Sequence, residues 1–301
     1  VVHGAIPGEG FTYQAQGAMT FDGYDDMLIA PSIADEDVSG SFSISLWVRV
    51  DEGQRSQFLY IYNYPSLISV GLIDDSDEPL VCFKIRPSAV EGDRVLLCSE
   101  SAISSNRWYH ISAVRDATNG MLSLFINGVL VNATPDVTFS TLTGGCLGLG
   151  MQPRNDCSPM PAGGNFWLKG NLDEVLLFAR ALTPTEIAAY YHSRQPYGTS
   201  LVPGAQADFD DVRVGECPVG VPGCAADARH TIPTDLLGPR PHSDTPCPMG
   251  TDDGTWADRD DLCGVVGYWP LDGDVTDATD ASRDGTNHGA EPAPGRMGDV
   301  A

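Results

Sequence analysis

The sequence predicts an all-β chain with one short helix. Three observations carry that expectation: apolar residues alternate with a period of two, tight turns separate the alternating runs, and a single stretch has helix-start chemistry. Phe42, Ile44, Leu46, Val48 and Val50 alternate with Ser41, Ser43, Ser45, Trp47 and Arg49, so every second side chain falls on one apolar face of a strand. Trp108 to Val114 repeats the pattern, Asn119-Gly120 turns, Met121 to Ile126 follows, and Asn127-Gly128 turns into Val129 to Val131. Two strand–turn steps of this kind make a β-meander. Gly144 to Gly150 and the Pro-Ala-Gly-Gly of 161–164 punctuate the next turns, and Phe166 to Leu168 and Glu174 to Phe178 read as further strands. The helix begins at Thr183, which can cap, with Pro184 in the first helical position and Glu186 completing a capping box before Ile187 to Tyr191. From Gln195 to about Asp261 the composition shifts to Pro, Gly, Asp and Cys, with one strand-like piece at Phe209 to Val214; Val265 to Pro270 then restarts an apolar strand ahead of the acidic loop Asp272 to Asp284.

The chain has 301 residues, 42% of them hydrophobic, and a formal net charge of −24. That apolar content suits a packed domain rather than a disordered chain. Lys84 and Lys169 are the only lysines, and no Lys/Arg run occurs, so capture of nucleic acid or of an anionic membrane has no electrostatic footprint. No apolar stretch is long enough to span a bilayer, and the chain begins at Val1 without a signal-like segment, as a processed chain or a piece of a longer one would. The 8 Cys fall in neighbouring pairs: Cys82 with Cys98, Cys146 with Cys157, Cys217 with Cys224, and Cys247 with Cys263. An even set of this kind reads as disulfide staples in an oxidising, extracellular compartment. Pairing by sequence neighbour is the expectation among many formal alternatives, and zinc would want closer thiolate spacing. The acid excess fits a solvated surface and equally fits hard-cation binding by carboxylates.

Five segments in one order resemble the laminin-G-like domains of the concanavalin-A-like superfamily, in their bacterial multi-repeat form. They are Met19-Thr-Phe-Asp-Gly-Tyr-Asp-Asp-Met27, Phe42-Ser-Ile-Ser-Leu-Trp-Val48, Arg107-Trp-Tyr-His-Ile111, Leu124-Phe-Ile-Asn-Gly-Val129, and Gly170-Asn-Leu-Asp-Glu-Val175 running into Phe178-Ala-Arg-Ala-Leu-Thr-Pro-Thr-Glu-Ile187. The resemblance covers about residues 18–192 and implies a two-sheet antiparallel jelly-roll sandwich. One departure stands out. The family's usual opening strand, of the form Gly-Tyr-Trp-Pro-Leu-Asp-Gly with a later His-Gly, is absent near the N-terminus and sits instead at Gly267 to Gly273 and at Asn287-His-Gly-Ala290; His3-Gly-Ala5 echoes the second motif at the other end.

The expected organisation is therefore a laminin-G-like sandwich over 1–197 lacking its opening strand, a Cys/Pro/Asp-rich connector over 198–264, and an opening-strand segment over 265–301. A sandwich short of a strand exposes unpaired backbone groups and a strip of core. The chain's own segment can fill the slot, a neighbouring copy can supply it, or the chain is one repeat of a longer array. Filling by a neighbour, with Tyr268, Trp269 and Leu271 as the assembly residues, is the expectation. It gives an extracellular structural protein that self-associates head to tail into a filament or surface array, adhesion being a further role, since a heterologous contact propagates unless it closes. The alternative is a monomeric, calcium-dependent carbohydrate-binding module whose partners are glycans or cell surfaces.

The resemblance also implies a structural calcium held by Asp22, Asp25, Asp26 and Asp173, with Asp272 or Asp274 joining if the slot is filled in trans. Convergent carboxylates from distant segments suit this ion. The acidic loop Asp74, Asp75, Asp77 and Glu78 reads as an ordinary solvated loop. Phe58, Tyr60, Tyr62 and Tyr64 alternate on one strand face and form the candidate ligand face, because aromatic rings stack on sugars; core packing is the competing reading. No catalytic residues are expected. Asp173 and Glu174 are adjacent, so in a regular strand they point to opposite faces, whereas glycoside hydrolysis needs two carboxylates facing one substrate. His110 reads as structural, and the sequon Asn132-Ala-Thr134 as incidental.

Overall fold

The computed structural model describes residues 18–51, 55–72, 80–162, 166–193, 265–271, 274–277 and 283–293. The Phe209 to Val214 piece, the acidic loop at 74–78, and Asp272 lie outside the described residues, as do Cys217, Cys224, Cys247 and Cys263.

Among the described residues, fifteen strands and two helices follow in chain order: β1 (Ala18–Asp22), β2 (Met27–Ile33), α1 (Asp35–Ser39), β3 (Phe42–Val50), β4 (Ser56–Asn63), β5 (Ser66–Leu72), β6 (Val81–Arg86), β7 (Val95–Cys98), β8 (Trp108–Asp116), β9 (Met121–Ile126), β10 (Val129–Pro135), β11 (Gly145–Leu149), β12 (Lys169–Phe178), α2 (Pro184–Ser193), β13 (Val265–Trp269), β14 (Thr286–His288) and β15 (Glu291–Ala293). They form two antiparallel sheets. One runs β10-β9-β8-β3-β12-β1-β15, with β13 also on β12; the other runs β14-β2-β11-β4-β5-β6-β7. This is the jelly-roll sandwich that the alternation and the resemblance predict. The faces turned toward each other carry the main core, including Phe42, Ile44, Leu46 and Val48 from the first sheet and Leu59, Ile61, Ile68 and Phe83 from the second. Hydrophobic burial between sheets is the dominant stabilising term in such an architecture.

Two disulfides join described residues, Cys82–Cys98 and Cys146–Cys157. Cys82 and Cys98 lie directly opposite each other on β6 and β7, so the bridge staples a strand pair. The helix α2 starts as its chemistry dictates: Thr183 Oγ1 accepts from the Glu186 N–H at 3.2 Å, and the Thr183 N–H donates to Glu186 Oε2 at 2.7 Å. It packs on the outside of the first sheet, with Tyr191 stacked on Trp47 at 5.6 Å. His110 is buried beneath it, 5.4 Å from the Tyr190 ring and 2.7 Å from Ser45 Oγ through Nε2, so its surroundings are structural.

Several expectations need correction. α1 is a second helix that the pattern did not predict; its acidic first turn, Asp35, Glu36 and Asp37, favours a helix start through the backbone dipole. Phe166 makes only an isolated bridge to Ser56, so 166–168 is not a strand. Glu174 adopts φ 50° at a break in register between Asp173 and Leu176. Strict alternation of Asp173 and Glu174 therefore fails, as a bulge places two residues opposite one.

The slot is filled within the single chain. β13 pairs with β12 of the same chain, Trp269 opposite Val175 and Tyr268 opposite Leu176. β14 adds to β2 and β15 to β1. Trp269 and Leu271 lie in the main core, and Tyr268 packs on the outer cluster with Phe178 and Ile187. The assembly residues expected to enter a neighbour thus complete their own sandwich. The physical reason is that one edge of β12 is divided, its first half paired with β1 and its second half open to β13. Polar contacts hold the segment: the Tyr268 hydroxyl donates to Glu174 Oε2 at 3.0 Å, the Tyr268 N–H to Asp277 Oδ1 at 3.1 Å, and Arg283 Nη2 to Asp37 Oδ2 at 2.8 Å. Arg283 Nη1 also donates to the Val266 carbonyl.

Candidate functional sites on the sandwich

The turn after β1 brings three carboxylates together. Asp22, Asp25 and Asp26 each offer a ligand oxygen within 4.8 Å of the others. The turn is built by Asp22 itself, whose Oδ1 accepts from the Tyr24 N–H at 2.7 Å and the Asp25 N–H at 3.3 Å. Asp26 Oδ2 accepts from the Asp22 N–H at 2.8 Å. Asp26 is buried, and burial pushes its carboxyl above the usual range; the backbone hydrogen bond to Asp22 opposes this, while the charges of Asp22, Asp25 and Glu291 add to it. Like charges gathered at a buried carboxyl resist ionisation, and a hard cation would relieve that strain. The donor set, all oxygen and all anionic, suits Ca²⁺ better than a soft metal.

The closing segment forms one wall of this turn. Gly289, with φ 102°, lies so near that a Cβ there would fall 2.2 Å from Asp26 Oδ1. Here the glycine of the His-Gly motif is required by space as well as by backbone conformation. Gly289→Ala is expected to destabilise the fold by about 1–3 kcal/mol, read as a lower midpoint in urea denaturation. An unchanged midpoint would show that the segment does not sit against Asp26.

The other expected ligands do not converge here. Asp22 lies opposite Lys169, so Asp173 is four residues further along β12, roughly 13 Å away at strand rise. It sits opposite Trp47 instead. Asp274 is exposed and accepts the Thr276 N–H at 3.0 Å. Antiparallel register, not the number of acids, decides which carboxylates meet. Glu291 and Gly289 are the neighbours of the cluster that the sequence reading did not assign to it; the recurrence of Gly289 in the His-Gly motif, as Gly4, was the available signal.

The expected aromatic face divides. A register shift between Gln57 and Leu59 in the β4–β5 pair turns Phe58 into the core, where it is fully buried. Tyr60 and Tyr62 stay on the outer face of the second sheet, their rings 5.8 Å apart and edge to face. Burial pushes the Tyr60 hydroxyl up to about 12, with Arg86 pulling it down and Tyr62 pushing it up. Tyr64 lies beyond the strand and is 57% exposed, with its N–H donating to Asn155 Oδ1 at 2.8 Å. Asn132, the sequon asparagine, donates through Nδ2 to the Cys98 carbonyl at 2.8 Å, which uses one of its two N–H groups.

Two stacked antiparallel sheets with one helix across the back of the first define a laminin-G-like jelly roll. The chain belongs to the Laminin_G_3 family of the concanavalin A-like lectin/glucanases superfamily, whose model matches residues 22–188. It is 29% identical over 148 residues to the pentraxin-related protein PTX3 of Homo sapiens, a match covering 48% of this chain and 34% of that protein; the chain thus spans about a third of the curated relative. Among solved structures it is similar to the heptameric SAP-like pentraxin of Limulus polyphemus (TM-score 0.46, 12% identity, 59% of this chain and 82% of that one). It is also similar to domains LG4-5 of the mouse laminin alpha1 chain (TM-score 0.44, 14% identity, 60% and 45%).

Proposed function

We propose that the chain is an extracellular, calcium-supported binding module that recognises glycans on the outer face of its second sheet. The observation that carries the reading is the aromatic surface left open by packing: Tyr268 and Trp269 pair within this chain's own sandwich, while Tyr62 and Tyr64 are not committed to the core. Disulfides support an oxidising, extracellular setting, and no helix among the described residues is long and apolar enough to cross a membrane. The superfamily is named for lectins and glucanases together, both of which engage glycans, and that points the same way.

Asp22, Asp25 and Asp26 would hold the calcium ion, which would neutralise their mutual repulsion and tie the first turn to the Gly289 segment. Calcium chloride in hundredfold excess over its Kd is expected to add about 2.7 kcal/mol, raising Tm by about 5 °C or more in a domain of this size. The shift should vanish in Asp25→Asn/Asp26→Asn. An equal shift in that variant would place the ion elsewhere, and no shift in the native protein would overturn calcium support.

Size-exclusion chromatography with light scattering, followed by a glycan array, tests the module itself. A monomer that retains glycan supports it. The long connector permits the same strand contacts to be exchanged between copies, so elution as a polymer that ignores glycans would overturn it in favour of head-to-tail assembly.

A further inference from the structure

The outer face of the second sheet is divided into a covered half and an open half. Over β2 and β11, Met27, Ile29 and Trp167 form a small apolar cluster with Met151, Cys157 and Met160. The segment after β11 lies so close that a Cβ on Gly148 would meet the Met151 carbonyl oxygen at 2.5 Å, and Cys146–Cys157 ties it down. Gly148 is opposite Tyr60 and Cys146 opposite Tyr62, so this tied segment ends where the tyrosines begin.

Register places what lies beyond. Tyr60 pairs with Ser69, Ser69 with Lys84, and Lys84 with Leu96; in the next row Tyr62 pairs with Leu67, and Leu67 with Arg86. Residues directly opposite share a face. Arg94 directly precedes Val95, which pairs with Ile85, and this brings it level with Arg86. Three of the chain's 17 basic residues therefore gather on one open face of a protein of net charge −24. Their proximity is felt at Lys84, whose ammonium is held below its ordinary range by burial and by the charges of Arg86 and Arg94. None of the three has an ion-pair partner among the described residues. Arg86 lies 5.9 Å from the Tyr64 ring centroid and donates through Nε to the Pro65 carbonyl at 3.1 Å, which fixes its position beside an exposed aromatic ring.

We infer that this open face, formed by Tyr62, Tyr64, Lys84, Arg86 and Arg94, binds an anionic glycan carrying widely spaced carboxylate or sulfate groups. The inference rests on the glycan-binding reading above and specifies its ligand class. Tyrosine rings offer apolar faces to the C–H faces of pyranose rings, and the three cations take the acidic substituents. The net charge of the chain selects for low charge density: a dense polyanion is repelled by the rest of the surface, whereas one acid group per two or so sugars meets the cations without that penalty.

Titration calorimetry of the whole chain tests this with three probes: a hyaluronan octasaccharide, with a carboxylate on alternate rings; a chondroitin sulfate octasaccharide, which adds sulfate; and neutral maltooctaose. Binding of either acidic probe at least about tenfold tighter than the neutral one, and weakening as salt rises from about 0.05 to 0.3 M, is expected. Which acidic probe is preferred separates carboxylate from sulfate recognition. Lys84→Gln and Arg94→Gln should each weaken the acidic probe about threefold to tenfold with Tm unchanged, and Tyr62→Ala should weaken it by a similar factor. Equal affinity for the neutral probe, or full affinity in Lys84→Gln/Arg94→Gln, would overturn the anionic assignment while leaving glycan binding intact. Failure of all three probes together with an empty glycan array would overturn the glycan reading itself.

Discussion

Trp269→Ala is expected to lower the unfolding free energy by about 3–5 kcal/mol. The indole is 1% exposed, sits in the main core, and donates through Nε1 to the Arg283 carbonyl at 3.1 Å. It already borders a small apolar void lined by Leu28, Ala30, Leu147, Leu149, Leu271 and Val275, so truncation enlarges a gap that neighbouring strands cannot collapse to fill. The measurement is the urea midpoint and slope of the purified chain, with Trp269→Phe as the milder comparison. Limited proteolysis should cut within 265–293 far faster in the alanine variant, because the same side chain anchors β13. A loss below about 1 kcal/mol would mean that the segment does not complete this chain's own sandwich.

Asp136→Ala should cost about as much, roughly 3–5 kcal/mol, for a different reason. Arg115 Nε and Asp136 Oδ2 meet at 2.7 Å, with the two side chains 9% and 5% exposed. Removing the carboxylate leaves a buried guanidinium held only by the Ser39 and Gly40 carbonyls, at 2.8 and 3.0 Å. Replacing both partners, as in Arg115→Met/Asp136→Ala, should recover part of the loss, since no uncompensated charge then remains. A double variant as unstable as the single one would show that packing, not charge, sets the cost.

The same carboxylate gives the fold an acid dependence. Burial alone would push Asp136 up, but hydrogen bonds from Thr138 and Arg115 outweigh it and hold the group below its ordinary value. Asp93 behaves alike, with burial opposed by hydrogen bonds from Ser88, Ser140 and Phe139. The folded state thus binds these protons less readily than the unfolded chain. Their contribution is complete above the unfolded value near 3.8 and is lost as pH falls through the lower folded values. Urea titrations from about pH 5 down to about pH 2 should show this loss, and it should shrink in Asp136→Asn.

Local chemistry was legible in the sequence wherever it involves neighbours along the chain. The alternation at Phe42 to Val50 became β3 without change of bounds, the Thr183–Glu186 box closed reciprocally, and the pairs Cys82–Cys98 and Cys146–Cys157 formed as sequence neighbours. The ordered motifs carried the jelly roll for the same reason, each marking a strand with its own turn. Phe58 escaped this reading because one residue of bulge reverses the side-chain face, and a bulge leaves no mark in a period-2 pattern. Asp173 escaped it because a ligand set depends on register between strands far apart in the chain.

What the amino-acid order determined by itself is therefore an extracellular-type β-sandwich, stapled and helix-capped, with an opening strand displaced to the far end. Only the tertiary structure decided where that strand goes, which acids meet, and that three scattered cations gather beside the tyrosines. Strand alternation, capping and turn formation are settled within about ten residues of chain. Pairing between β12 and β13, by contrast, joins Val175 to Trp269 across a long connector, and such a choice depends on which edge is open and which surfaces bury well against it.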